Sequence, residues 1–301
     1  MPASSFPNAL TVDVEDYFQV SAFEHRISRA DWASIPPRIE ASTDRLIELF
    51  DEAGVRGTFF VLGWVAERFP RLVERIAAAG HELASHGFWH RLVYEITPDA
   101  FREDLTRARD AIEQAAGVAV TAYRAPSFSI GPRSLWALEI LAELGFTVDS
   151  SIFPIRHDRY GMPEARLEPH RLATTAGTLT EFPPSVWQLG RFNLPIAGGG
   201  YFRLYPLSVT LRGIAAVAAR QRPFMFYLHP WEVDPEQPPI RTVDWKRRWR
   251  HTVGLRRTET KLRGLLKSVR FDTLSATLAE FQRRESLVTV NLQAMREAVA
   301  T

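Results

Sequence analysis

The stretch Leu10-Thr11-Val12-Asp13-Val14-Glu15-Asp16 reads as a buried β-strand that runs straight into three carboxylates. Alternation along a strand puts Asp13 and Glu15 on one face, with Asp16 at the bend into the next loop. Carboxylates this close repel and raise one another's pKa unless a cation or an arginine offsets them. Acidic residues at strand ends also cap helices and solvate loops, so the run alone leaves both readings open.

Outward from this strand the same transition recurs. Ile39 to Ala53 reads as a helix stopped by Gly54, and Gly57 to Leu62 as the next strand. A helix over Arg71 to Ala79 ends at Gly80, before a strand from His81 to Ser85 that runs into His86. Thr97 and Pro98 form an N-cap and first-turn pair that opens a helix to Gln114. Ala119 to Tyr123 is then a strand ending at Arg124, and Ser134 to Leu144 followed by Phe146 to Asp149 repeats the pattern. Such alternation is the βαβ signature and predicts an α/β barrel.

Past Ser151 the alternation weakens and Pro and Arg become frequent, so residues 151–200 are expected to form an insertion or lid across one face. Pro206 to Ala219 reads as a helix and Phe224 to Leu228 as a last buried strand. Residues 241–301 are read as a basic helical C-terminal extension, with a helix near Leu274 to Arg284, and residues 1–301 as one catalytic domain.

Composition narrows the chemistry. With 301 residues, 46% of them hydrophobic and 24% charged, the chain can bury a sizeable core, which excludes disordered, collagenous and coiled-coil classes. Zero cysteines exclude disulfides, thiolate metal sites and a cysteine nucleophile, leaving His and carboxylate to hold any metal. No run approaches the roughly 20 apolar residues of a membrane span. The start Met1-Pro2-Ala3-Ser4-Ser5-Phe6-Pro7 lacks the basic and apolar regions of a secretory signal, so the expected compartment is cytoplasmic. The formal charge of +2 conceals an asymmetry: residues 241–270 hold eleven Lys and Arg against two acids, leaving the remainder at 26 basic and 33 acidic. Such a block either solvates a helical face or attracts an anionic surface, and it is read as a possible peripheral membrane contact, with no nucleic-acid partner.

Four further constellations fall at predicted strand ends. His86-Gly87-Phe88-Trp89-His90 spaces two imidazoles so that both can converge on one ion, although a core His beside Trp89 is the ordinary alternative. Arg124 before Ala125-Pro126-Ser127 needs a carboxylate if it is buried, and Asp13 is the obvious partner. His229 follows the apolar run Phe224 to Leu228, whose end should lie in the same rim. Asp149, ahead of Ser150 and Ser151, either orients His229 and raises its pKa or forms an Asx turn. Together these groups lie where barrels of this class carry their active sites.

In motif order over residues 10–230 the chain resembles the polysaccharide deacetylases of carbohydrate esterase family four, the NodB-homology domain. Thr11-Val12-Asp13 is similar to that family's first motif and Ser85-His86 through His90 to its second. Arg124-Ala125-Pro126 is similar to the third, Asp149 to the fourth and Leu228-His229 to the fifth. Val12 through Phe18, together with Gly87-Phe88-Trp89-His90, resembles the deacetylases associated with exosortase and PEP-CTERM exopolysaccharide loci.

The resemblance implies a distorted (β/α) barrel of about seven strands, a divalent metal, usually Zn2+, and removal of N-acetyl groups from N-acetylated sugars. It implies Asp13 as general base with Arg124 as its partner, His86 and His90 as metal ligands, His229 as general acid and Asp149 as the residue tuning it. The family pattern has two adjacent Asp, whereas Val14 intervenes here, so the carboxylate ligand is either Glu15 or Asp16. Ser127 stands where the family usually has Tyr, which alters the substrate groove, while a backbone N–H near it is expected to serve the oxyanion. Trp89, Trp187, Tyr201 and Trp231 are available to stack on sugar rings or to fill the core. Two other readings are an allantoinase-like amidohydrolase acting on a small metabolite and a non-catalytic carbohydrate-binding protein.

Overall fold

The expected first strand is β1, Asn8–Val14, buried along its whole length. In the computed structural model, which describes residues 6–157, 159–240 and 244–300, it has parallel partners on both sides. Met1 to Ser5, and Arg241 to Val243 of the basic block, lie outside the described residues.

The next four strands are β2 (Thr58–Val61), β3 (Glu82–Ser85), β4 (Ala122–Tyr123) and β5 (Val148–Asp149). A hairpin follows, β6 (His170–Thr174) and β7 (Gly177–Glu181), then a separate hairpin of β8 (Val186–Leu189) and β9 (Phe192–Pro195). Last come β10 (Met225–Leu228), β11 (Phe271–Asp272) and β12 (Thr289–Asn291). Neighbouring strands run in the order β10-β1-β2-β3-β4-β5-β7-β6-β12, and β11 pairs with β1. From β10 through β7 every pairing is parallel, a run of seven strands, whereas β6 is antiparallel to β7. This is the mixed α/β architecture expected, with a mostly parallel sheet. Residues 151–200 thus contribute two strands to the main sheet as well as the separate hairpin, because Glu181 pairs in register with Asp149.

The gap between β7 and β10 is spanned by irregular chain. Ser185 Oγ accepts from Met225 N at 2.8 Å, and Tyr227 N donates to the Ala197 carbonyl at 2.7 Å. Helices Ile39–Glu52, Pro70–Ala78, Pro98–Ala116 and Trp136–Glu143 bury their apolar faces in the main core against the outside of the sheet. Their ends follow local rules: Thr97 accepts from Ala100 N, Pro98 opens the first turn, and Gly117 closes the last at φ +67°.

Period-2 alternation sends Ala9, Phe60, Ala84, Ala122, Val148 and Met225 into a second cluster, which the helix Leu274–Arg284 covers with Leu274, Leu278 and Phe281. The C-terminal segment therefore plugs the end of the barrel where the strands begin, leaving the other end for polar side chains. At the seam, Gly198 has φ +142° and a Cβ there would lie 1.8 Å from the Tyr227 carbonyl oxygen. Gly198→Ala should accordingly cost about 3 kcal/mol of stability, read as a lowered midpoint in urea unfolding.

Candidate metal and hydrolytic site

At the C-terminal ends of the strands, Glu15, His86 and His90 bring one donor atom each within 4.8 Å of one another, all buried. His86 Nδ1 lies 2.8 Å from the Arg124 carbonyl, which fixes its N–H there and leaves Nε2 as the free donor. Glu15 Oε2 is 2.7 Å from His90 Nε2, yet it is buried without a hydrogen bond. Two donors facing the same point without bonding each other are what a shared cation requires, so this trio fits a metal ion. The buried environment lowers the pKa of His86 to about 4, favouring the neutral, ligating form. Burial pushes the Glu15 carboxyl up, but the positive charges of His90, His229 and His86 outweigh it and hold the group at about 2.

Local geometry holds the two-histidine turn. His90 occupies the left-handed region at φ +52°, and Asp104 accepts from Phe88 N at 2.6 Å and Trp89 N at 3.2 Å. Ser21 Oγ stands 3.4 Å from His90 Nδ1 and 2.7 Å from Ser127 Oγ. Neither Asp104 nor Ser21 carries a sequence signal for this role, since each reaches the turn only through the folding of distant chain.

Beside the trio lies the expected ion pair. Arg124 is wholly buried, and its Nη1 donates to Asp13 Oδ1 at 2.6 Å and to Thr11 Oγ1 at 2.9 Å. Its other side donates to Ser150 Oγ at 3.0 Å and to the Ser150 carbonyl at 3.3 Å. His229 faces this pair from β10, with Nε2 3.4 Å from Glu15 Oε1 and 4.0 Å from Asp13 Oδ2.

Two of the anticipated carboxylates are elsewhere. Asp16 turns away from the trio and accepts from Tyr17 N, Arg38 N and Ile39 N at 2.8–3.1 Å, capping the helix that starts at Ile39. Glu15 is therefore the carboxylate of the donor set. Burial raises the Asp16 carboxyl to about 6 despite those three donors.

Asp149 does not hold His229. It faces Glu181 on the adjacent strand β7 and takes the Ser151 hydroxyl, and burial raises both carboxyls, Glu181 also feeling the charge of Asp149. The partner of His229 Nδ1 is Glu232 Oε2 at 3.0 Å, and Glu232 Oε1 in turn accepts from Arg203 Nε at 2.6 Å. Burial opposes protonation of His229, but Glu15, Glu232 and Asp13 together raise its pKa to about 9. The sequence signal for Glu232 was local: a His followed by Pro and, three residues on, an acid forms a capping box. Arg203 has no such signal.

The proposed sugar platforms also sort themselves. Trp231 is buried and stacked between His229 at 5.1 Å and His251 at 4.2 Å, with Nε1 3.4 Å from Glu15 Oε1. It supports the site instead of facing a ligand. Trp89 and Trp187 are half-buried and pack against core residues.

The fold and site define a (β/α)-barrel protein with a His/His/Glu donor set beside a buried Asp–Arg pair and a carboxylate-bound His. Residues 32–148 match the family model described as polysaccharide deacetylase, and residues 150–279 match a domain of unknown function, DUF3473. A peptidoglycan-N-acetylglucosamine deacetylase of Bacillus cereus is 32% identical over 98 residues, covering 32% of this chain and 36% of that protein. The chain spans between 36 and 45% of the length of this and two other curated relatives.

Among solved structures, a candidate polysaccharide deacetylase from Mycobacterium smegmatis aligns at TM-score 0.56 with 23% identity, covering all of this chain and 92% of that one. The Puue allantoinase aligns at TM-score 0.59 with 14% identity over 92% of this chain and 90% of that one, so the fold is shared by more than one chemistry. The polysaccharide deacetylase match is confined to residues 32–148. His86, His90 and Arg124 lie in that match, while His229, Glu232 and Arg203 come from the second one.

Calorimetric titration with Zn2+ as probe should show binding that is lost in His86→Ala and Glu15→Gln. Asp16→Ala should bind as the parent does, while losing about 1–3 kcal/mol of stability in thermal unfolding because helix N–H groups lose their acceptor.

Proposed function

We propose that this protein is a metal-dependent hydrolase that removes N-acetyl groups from N-acetylated sugars. The observation that carries this reading is the convergence of Glu15, His86 and His90 with the Asp13–Arg124 pair and the His229–Glu232 pair at one rim. A divalent cation held by the trio would polarise an amide carbonyl and acidify water.

The residues of the chain then have separable tasks. Asp13, oriented by Arg124, takes the proton of the attacking water. Water adds to the acetamide carbon, and a backbone N–H near Ser127 donates to the developing oxyanion, as the family resemblance implies. His229 gives its proton to the sugar nitrogen as the C–N bond breaks, releasing acetate and a free amine. Glu232 keeps that imidazole charged and turned, and Arg203 holds Glu232 from behind.

Two imidazoles and one carboxylate suit zinc as the ion. An exopolysaccharide or its precursor as substrate, the exosortase-linked branch and the cytoplasm as compartment rest on sequence resemblance and composition. No described helix is long and apolar enough to cross a membrane.

Acetate release from N-acetylglucosamine oligosaccharides tests the reading. The parent should release acetate, lose that activity on chelation and regain it with Zn2+. Asp13→Asn should keep its metal and lose turnover by at least about a hundredfold. Full activity in Asp13→Asn would refute the base assignment. Allantoin as a parallel substrate tests the small-amide alternative, and acetate-free turnover of it would replace the present reading.

Glu232→Gln should lower kcat and move the alkaline limb of the rate profile to lower pH. The sign follows from the charge removed: without the Glu232 carboxylate the imidazolium is less favoured, so the proton is lost earlier as pH rises.

A further inference from the structure

The helix Trp245–Thr252 reads Trp245-Lys246-Arg247-Arg248-Trp249-Arg250-His251-Thr252 and contains no acid. Every residue from Asp244 to Arg250 is exposed, and Trp245 and Trp249, one helical turn apart, are 66% and 54% exposed. Large indoles left in water side by side are uncommon on a protein surface.

The helix is nevertheless firmly attached. His251 is buried, stacked on Trp231, with Nε2 2.6 Å from Gln237 Oε1. Arg203 donates to the carbonyls of Arg250, His251 and Val253 while it pairs with Glu232. The helix is thus fixed to the candidate site's rim at its C-terminal end and presents the rest outward.

Charge indicates what covers it. Lys246, Arg248 and Arg250 stand exposed around the two indoles, Arg247 is only loosely matched by Asp244 at 3.4 Å, and Arg256 and Arg257 extend the patch. Residues 241–270 hold eleven basic residues against two acids, while the remaining chain has 26 against 33, so the positive pole of the molecule coincides with its exposed indoles. Indole rings settle at the headgroup level of a bilayer, and neighbouring Lys and Arg attract anionic lipid.

We infer that this helix docks the protein on an anionic phospholipid bilayer, with Trp245 and Trp249 entering the headgroup layer and the basic residues against lipid phosphates. The inference goes beyond the hydrolase reading and stands independently of it. Through the stack of His251, Trp231 and His229, docking would hold the rim beside the membrane surface.

The test is co-sedimentation and tryptophan fluorescence with vesicles of phosphatidylcholine mixed with phosphatidylglycerol, against phosphatidylcholine alone. The parent should bind the mixed vesicles, with a blue-shifted emission, and release them at high salt. Trp245→Ala with Trp249→Ala, and separately Lys246→Glu with Arg248→Glu, should weaken binding at least about tenfold with unchanged circular dichroism. The blue shift should vanish in the tryptophan variant. Absence of binding to the mixed vesicles at low salt would overturn the inference. So would undiminished binding by both variants, or capture by soluble heparin without any vesicle-induced fluorescence change.

Discussion

A guanidinium buried inside a barrel constrains everything around it. Arg124 has no exposed surface, so its charge and donors must be met within the protein, and Asp13, Thr11 and Ser150 meet them. Breaking such a pair costs on the order of 3–5 kcal/mol, because the surviving charge stays buried. Strands β1, β4 and β5 must therefore end at matching heights, and that levels the rim on which the donor trio sits. The Arg124 carbonyl also fixes the tautomer of His86, so one residue serves both halves of the site.

A second buried ion pair plays the corresponding part on the other side. Arg203 and Glu232 connect the end of β10 to the backbone of residues 250–253 and keep His229 aimed at Asp13 and Glu15. The N-terminal half supplies Glu15, His86, His90 and the Asp13–Arg124 pair, and the C-terminal half supplies His229 with Glu232 and Arg203. Neither half holds a complete constellation. The match to the deacetylase model ends at residue 148, so His229, Glu232 and Arg203 fall within the match to DUF3473.

The two carboxyl clusters at the rim illustrate how environment separates similar groups. Glu15, surrounded by three imidazoles, is held low, whereas Asp149 and Glu181, buried beside each other, are raised by burial. Their buried hydroxyl and amide contacts support the loop after Arg124, since Ser151 Oγ accepts from Ala125 N while donating to Asp149. Proximity to cationic groups separates a carboxyl that is held low from carboxyls that are pushed up.

The sequence by itself determined the parallel βα alternation, the strand ends at Asp13, His86, Arg124 and His229, and the Asp13–Arg124 partnership. Those features depend on short-range periodicity and on the requirement that a buried charge be answered. Which of Glu15 and Asp16 joins the histidines was decided only when the chain returned at Arg38 and Ile39 to claim Asp16 as a cap. Likewise, whether Asp149 or Glu232 meets His229 depends on sheet order: β5 lies beside β7, and β10 lies beside β1 on the far side. The weakly patterned stretch after Ser151 concealed two sheet strands because half-exposed hairpins with frequent polar residues lack the apolar runs of buried parallel strands. Residue type and local spacing are short-range properties, whereas the meeting of two carboxylates with one imidazole is a matter of sheet order and loop return, which only the tertiary structure sets.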